Sequence, residues 1–269
     1  MCIRDRCDRR SGDELQHLYK KFFDMEIPII RVNPPTAEMI KYANNAFLAT
    51  KISFMNTIAN ICERIFSVDV VEVAKAIGMD PRIGPDFLGA GVGFGGSCLP
   101  KDLMVLTSFA KRHGYEETLL EVVLEVNRSQ RQRTYELTKK TLGRLNGRRI
   151  AILGLAFKSE TDDIRDAPSI DLIKRFLKAR CKITVYDPQA MGNARKVLSG
   201  ISYASSALEC LEKADCCIVV TDWSEFIGIK PEDFLSRMRT PILIDGRRIY
   251  DPKEYSRKLH YVAIGHGKT

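Results

Sequence analysis

RRIAILGLAFKSETDDIRDAPSIDLIKRFLKARCKITVYDP, residues 148–188, decides the fold. Arg149 to Leu153 runs into four consecutive apolar residues, the continuous pattern of a strand buried on both faces. A loop follows, then a helical stretch from Ser169 to Arg180 and a second strand from Lys182 to Tyr186. A strand, a helix and a further strand form the βαβ unit of a parallel sheet. Downstream the alternation continues with a helix over Ser206 to Lys213, a strand over Asp215 to Thr221 and a helix over Pro231 to Arg237. Strands over Pro241 to Ile244 and Leu259 to Ile264 complete it. The class expected is α/β, with a doubly wound parallel sheet beginning near residue 146, where Asn146 and Gly147 punctuate the chain.

Upstream the character is helical. Residues 11 to 35 read as an amphipathic helix (Leu15, Leu18, Phe22, Phe23), a short strand from Ile29 to Val32 and a break at Pro34 and Pro35, the tail of an α/β unit. A long helix is expected from Thr36 to about Phe66. At 1.5 Å per residue it would be about 45 Å long, more than a small domain needs for its own core. Such a helix either packs on a second subunit or joins two domains of one chain. Helices are also expected over Asp69 to Ile77, Pro100 to Arg112 with Gly114 as its stop, and Glu117 to Leu145.

The chain has 269 residues and a formal charge of +8, from 42 basic and 34 acidic side chains. That length allows two domains. The basic residues are interspersed with acidic ones, which favours a solvated surface over a nucleic-acid footprint. No uninterrupted apolar run reaches the roughly 20 residues of a membrane span, and MCIRDRCDRR is too charged for a signal peptide, so a cytoplasmic protein without membrane contact is expected. Eight cysteines contain no CxxC pair, and the four histidines have no ligand spacing, so no metal site is expected and most thiols should be inert.

Gly91, Gly93 and Gly96 match the GxGxxG spacing of dinucleotide turns, but Pro85-Asp-Phe-Leu-Gly-Ala precedes them where a buried strand is required. In the sheet region, Leu155, Ala156 and Phe157 stand where the later glycines would be needed. Neither place reads as an NAD turn. Cys98, at the end of GVGFGGSC and just before Leu99 and Pro100, is at the start of a helix, where the dipole and free N–H groups favour a thiolate. The small residues before it would let a substrate approach the backbone. Asp102 lies one turn further on and is suited to hold a water. A buried structural cysteine beside a capping carboxylate fits the same spacing. Lys41 and Asn45 share a helix face at i and i+4 and can stabilise an oxyanion and place a water, or merely form an exposed stripe.

Three stretches, TAEMIKYANNAFLATKISFMN (36–56), DPRIGPDFLGAGVGFGGSCLPKD (80–102) and GLAFKSETDDIRDAPS (154–169), together with DGRRIYDP (245–252), closely resemble the UDP-glucose/GDP-mannose dehydrogenase family. The resemblance covers nearly the whole chain from about residue 8. It implies oxidation of a nucleotide sugar at C6 to a carboxylate by two NAD-dependent hydride transfers, through an aldehyde held on a cysteine and then a thioester. It makes Cys98 the nucleophile, Asp102 and Asn45 the holders of the hydrolytic water, and Lys41 the oxyanion partner. It also implies substrate contacts from Phe87, Gly89, Phe94 and Gly95, from Phe157 and Lys158 near the phosphates, and from Arg247. Arg82 would reach the substrate of a neighbouring subunit, and Arg165 would meet the NAD.

The same resemblance implies three regions: 1–35 as the remnant of an NAD-binding Rossmann domain otherwise absent, 36–145 as a helical central dimerisation domain, and 146–269 as a UDP-sugar-binding domain. The chain is therefore expected to be a fragment, inactive alone, of an enzyme working as a homodimer or larger homo-oligomer. Gly89, Val92, Thr57 and His266 depart from the family pattern and bear on sugar and base. DGRRIYDP leans towards UDP-glucose, with GDP-mannose as the alternative. A non-catalytic nucleotide-sugar-binding module is the competing reading, and it has no use for Lys41, Asn45, Cys98 and Asp102 together.

Overall fold

The computed structural model describes residues 2–4, 8–23 and 28–267. Most of the opening MCIRDR segment, with the thiols of Cys2 and Cys7, lies outside what is described. Strand β1 (Cys2–Arg4) pairs in parallel with β2 (Ile29–Arg31), and α1 (Arg9–Phe22), capped by Asp8, connects them in the chain.

Helix α2 (Pro34–Cys62) follows at once. Pro34 and Pro35 do not break the chain, as expected above, but open the helix. Their fixed φ suits the first turn, which has no N–H partner to lose, and the Asn33 side chain accepts the Thr36 N–H at 2.9 Å. At 29 residues the helix is about 44 Å long. After α3 (Val70–Gly78), capped by Asp69, a loop leads to α4 (Leu99–Arg112) and α5 (Leu119–Leu142). Helix α5 ends earlier than expected because Gly143 turns left-handed (φ 70). Helices α2, α4 and α5 enclose a core of Ala46, Ala49, Phe94, Leu103, Leu120, Val123 and Leu124.

The C-terminal part runs β3 (Arg149–Leu153), α6 (Pro168–Lys178), β4 (Lys182–Tyr186), α7 (Met191–Val197), β5 (Ser202–Tyr203), α8 (Ala207–Cys210) and β6 (Cys216–Val219). It closes with α9 (Ser224–Ile227), α10 (Pro231–Arg237), β7 (Ile242–Asp245), α11 (Pro252–Tyr255) and β8 (His260–Ala263). The sheet order is β5-β4-β3-β6-β7-β8, and every pair is parallel, as the continuous apolar strands require. Strand β5 has only two residues and no periodicity to betray it. The helix expected over Ser206 to Lys213 shrinks to α8, since Lys213 turns left-handed (φ 58) and gives its N–H to the Arg237 carbonyl at 2.7 Å.

The order reverses between β3 and β6, and the crevice beyond the carboxyl ends of such strands is where open α/β sheets take ligands. One face of the sheet buries Ile150, Ile152, Ile218 and Ile244 in a core shared with Met55, Ala59, Val70 and Val92 of the helical part. The opposite face packs Ala151, Leu153 and Leu243 on Trp223, Phe226 and Phe234. The shared core holds the helical part over the strand ends. Among the described residues no helix is long and apolar enough to cross a membrane.

Candidate active site

Cys98 is the N-cap residue of α4, and it is exposed, unlike the structural cysteine its spacing also allowed. Ser97 Oγ lies 3.6 Å from its sulfur, and its carbonyl accepts the Asp102 N–H at 2.9 Å. The other described cysteines (Cys62, Cys181, Cys210, Cys216 and Cys217) are all buried. Burial pushes the Cys181 thiol up to about 11 and the Cys210 thiol to about 12, with Cys216 and Cys217 raised further, so these remain protonated and inert.

One turn into α4, Asp102 is wholly buried. Its Oδ2 accepts Asn45 Nδ2 at 2.6 Å and a short bond from Lys41 Nζ, and Lys101 Nζ lies 3.6 Å from Oδ1. Lys41 and Asn45 are thus no idle exposed stripe, because both reach the carboxylate across the α2–α4 contact. Burial works to raise the Asp102 pKa, but the hydrogen bonds from Lys41 and Asn45 and the charges of Lys41 and Lys101 outweigh it and hold the carboxyl below its ordinary value. Asp102 Oδ1 accepts no hydrogen bond from the protein. A buried carboxylate oxygen with free lone pairs is a place for a water or a substrate hydroxyl.

The loop leading to Cys98 is pinned from α5. Asn127 Oδ1 accepts the Phe94 N–H at 2.8 Å and its Nδ2 donates to the Phe94 carbonyl at 3.0 Å. Gln130 donates to the Gly91 carbonyl at 2.9 Å, and Asn56 accepts the Gly91 N–H at 2.8 Å. Arg131 forks onto both Asp166 oxygens and the Phe94 carbonyl, tying this loop to the one after β3. Sequence reading passed over Asn127, Gln130, Arg131 and Asn56. Polar residues buried at helical spacing on α5 were the one available signal.

The glycines are spent mainly on protein neighbours rather than on ligand approach. A Cβ at Gly95 would overlap the Asp166 carbonyl oxygen, one at Gly96 would come within 2.8 Å of the Phe157 ring, and one at Gly91 within 2.8 Å of the Gly246 oxygen. Among Gly89, Gly91, Gly93, Gly95 and Gly96, Gly89 alone faces open space.

Cys98, Phe87, Gly89, Phe94, Gly95, Phe157, Lys158 and Arg247 line one cavity of about 250 Å³ at the carboxyl ends of β3 and β7. Phe87 stands at its rim in left-handed backbone (φ 63), a strained conformation for a bulky residue. The Arg247 guanidinium donates to the Val220 carbonyl at 2.6 Å and the Phe157 carbonyl at 3.4 Å, and burial pulls its pKa down against the nearby charge of Asp222. Lys158 Nζ lies 5.8 Å from the Phe157 ring centre. Neither cation has an ion-pair partner among the described residues. Two cations without a direct ion pair in one cleft fit a polyanion.

Arg82 and Arg165 are not in that lining. Arg82 pairs with Asp80 at 2.6 Å and its side chain is 88% exposed, on a loop held by Lys51, which donates to the Ile83 carbonyl at 2.9 Å. Arg165 pairs with Asp163 at 2.7 Å, and its carbonyl accepts the Gly96 N–H at 2.8 Å, so it adjoins the thiol loop.

The sheet has the strand order of dinucleotide-binding folds, yet its residues do not fit such a cofactor. The acid at the end of β4, Asp187, is buried and accepts the N–H groups of Leu155, Ala156, Gln189 and Ala190 and the Trp223 indole at 2.7–3.1 Å, which leaves nothing for a ribose. Gly154 abuts Thr221 of the neighbouring strand connection.

Known proteins resemble both parts of the chain. The central-domain model of the UDP-glucose/GDP-mannose dehydrogenase family matches residues 35–129, and the same family's UDP binding domain matches residues 151–252. UDP-glucose 6-dehydrogenase AglM of Haloferax volcanii is 48% identical over 84% of this chain and 52% of its own length. UDP-glucose 6-dehydrogenase TuaD of Bacillus subtilis is 42% identical over 89% of this chain and 51% of its own. The structure of a UDP-glucose dehydrogenase from Pyrobaculum islandicum superposes with a TM-score of 0.87 at 33% identity, covering 98% of this chain and 58% of that one. The chain thus spans about half the length of the relatives it matches. With a helical part and a sheet part each matched by the corresponding domain of one family, the chain belongs to the UDP-glucose/GDP-mannose dehydrogenase family.

Proposed function

We propose that this chain is the thiol-bearing and nucleotide-binding part of an enzyme that converts UDP-glucose, two NAD⁺ and water to UDP-glucuronate and two NADH. The observation that carries the reading is a single cavity with the exposed Cys98 thiol in its lining and the unpaired cations Arg247 and Lys158 beside it. Those cations suit a diphosphate, and the thiol suits the sugar carbon attached to it. Residues 36–145 form the central domain in this reading, residues 146–269 the UDP-sugar-binding domain, and residues 1–35 the end of an NAD-binding domain.

The covalent chemistry proposed gives each of these residues a part. The Cys98 thiolate adds to the C6 aldehyde, forming a C–S bond while the carbonyl electrons move to oxygen, and Lys41 stabilises that oxygen before it takes a proton. Once C6 is at the thioester level, a water held by Asp102 and Asn45 adds to it. The C–S bond breaks, the thiolate leaves, and the carboxylate departs, with both protons of the water released to solvent. Asp102 Oδ1, buried and accepting no hydrogen bond from the protein, is the acceptor suited to orient that water. Bound NAD would take the hydride of each oxidation, and Arg165, beside the thiol loop, is the residue of this chain proposed to meet it.

A second copy is proposed to pack along α2, where Phe47, Phe54 and Ile61 recur every seven residues and are exposed. Arg82, exposed and outside the lining of its own cavity, is proposed to reach a neighbour's substrate. A cytoplasmic location accords with this chemistry. Calorimetric titration of the chain with UDP-glucose tests the reading. Binding is expected, weakened tenfold or more in Arg247→Met, and no binding by the wild-type chain would overturn it. No NADH should form from UDP-glucose and NAD⁺ with these 269 residues alone.

A further inference from the structure

Arg247 and Arg248 are adjacent in the chain, yet they do different work. Arg247 lines the cavity. Arg248 adopts left-handed backbone (φ 57), disfavoured for a residue with a Cβ, and its side chain, only 6% exposed, forks onto Asp69 with bonds of 2.9 and 2.7 Å. A third bond runs to the Ile264 carbonyl at 3.2 Å. Asp69 belongs to the helical part, where it also accepts the Val71 N–H at 2.8 Å and so caps α3. The C-terminal stretch is strapped to the same place: Val70 N–H donates to the Gly265 carbonyl at 2.9 Å, Gly267 N–H to the Val68 carbonyl at 2.8 Å, and His266 Nδ1 lies 3.3 Å from Asp69.

Arg247 itself has weaker anchors. Its N–H meets Asp245 at 3.1 Å and its guanidinium meets only carbonyl oxygens. A second chamber of about 340 Å³, lined by Val71, Ala74, Lys75 and Leu88, adjoins the first and shares Arg247 and Gly89 with it. The Asp69 cap sets where α3 borders that chamber, and the Arg248 fork sets the turn that carries Arg247.

We propose that Asp69 and Arg248 are positioning residues: their bidentate pair holds the 246–250 turn so that the Arg247 guanidinium is aimed into the cavity to meet the diphosphate of a nucleotide. The proposal rests on the nucleotide reading above. A lysine at 248 keeps the charge but loses the fork, so the turn is free to relax and Arg247 to withdraw.

The test is a double-mutant cycle on this chain, titrated with UDP. Arg248→Lys is expected to weaken UDP binding tenfold or more. In an Arg247→Met background the same change is expected to alter it less than twofold, because Arg248 acts through Arg247. Alkylation of Cys98 by iodoacetamide should stay within twofold of the wild-type rate in Arg248→Lys. Wild-type UDP affinity in Arg248→Lys, multiplied losses in the double variant, or alkylation altered in parallel with affinity would each overturn the proposal. Should Arg248→Lys fail to fold, Asp69→Asn, whose amide oxygen still caps α3, carries the same cycle. Absence of UDP binding by the wild-type chain would overturn the nucleotide reading itself and this inference with it, whereas wild-type binding with an unchanged Arg248→Lys overturns this inference alone.

Discussion

Lys41 of α2 and Asp102 of α4, 61 positions apart in the chain, form an ion pair in which the carboxylate is fully buried while the ammonium side chain is 51% exposed. Asn45, one turn along α2, joins the same carboxylate oxygen. The pairing joins a fixed anion, one turn along α4 from Cys98, to a half-solvated cation and an amide of α2.

Because the folded Asp102 pKa lies below its ordinary value, its stabilising contribution is present above the unfolded value of about 3.9 and is lost as pH falls through the folded one. Asp102→Asn is expected to cost about 1–3 kcal/mol at pH 7, discounted for the half-exposed lysine. Urea melts at pH 7 and pH 3 check this, with the gap between wild type and variant narrowing at the lower pH. A gap that widens on acidification would contradict the assignment.

Among the described cysteines, Cys98 is expected to react first with iodoacetamide under native conditions, with Cys181, Cys210, Cys216 and Cys217 protected until the chain unfolds. Peptide mapping by mass spectrometry after a short exposure reads this directly. Labelling of the buried four at the Cys98 rate would contradict the burial.

Two glycines of one loop should behave oppositely. Gly95→Ala drives a methyl into the Asp166 carbonyl and is expected to destabilise by about 1–3 kcal/mol, whereas Gly89→Ala, with open space before it, should stay within about 0.5 kcal/mol. Thermal melts of the two variants separate them. Equal effects would mean that close backbone approach is not what the glycines serve.

Asn127→Leu removes the acceptor of the Phe94 N–H and one of the two donors to its carbonyl, which keeps Arg131, while keeping the side chain's approximate volume. One buried backbone N–H then goes unsatisfied, and a loss of about 1–3 kcal/mol is expected. Hydrogen exchange should show the Phe94 amide losing protection first. A variant as stable as the wild type would remove Asn127 from the anchoring role.

Phe47→Asp on the exposed face of α2 should leave the fold intact, because Phe47 touches solvent in the single chain, but should shift a self-associated chain towards monomer in sedimentation velocity. An unchanged sedimentation profile of an associated species would place the interface elsewhere.

The parallel sheet was legible because its strands are continuous apolar runs separated by helices, a pattern few other folds tolerate. Arg149–Leu153 and Lys182–Tyr186 fall where periodicity puts them. The candidate thiol was legible as well, since a cysteine before a Pro-led helix has a local physical reason to be reactive. Local pattern fails for β5, whose two residues are a strand only because β4 lies beside them, and for Pro34 and Pro35, which start or stop a helix according to what Asn33 does.

Tertiary structure alone decided the partnerships. Nothing local says that Lys41 and Asn45 meet Asp102, that the glycines face Asp166 and Phe157 rather than a ligand, or which member of the Arg247–Arg248 pair is free and which is tied to Asp69. Sequence periodicity reports which face of an element is apolar, a property of neighbouring residues. The site is made of contacts between residues tens to hundreds of positions apart, and these exist only once the shared core has brought the helical part down over the ends of the strands.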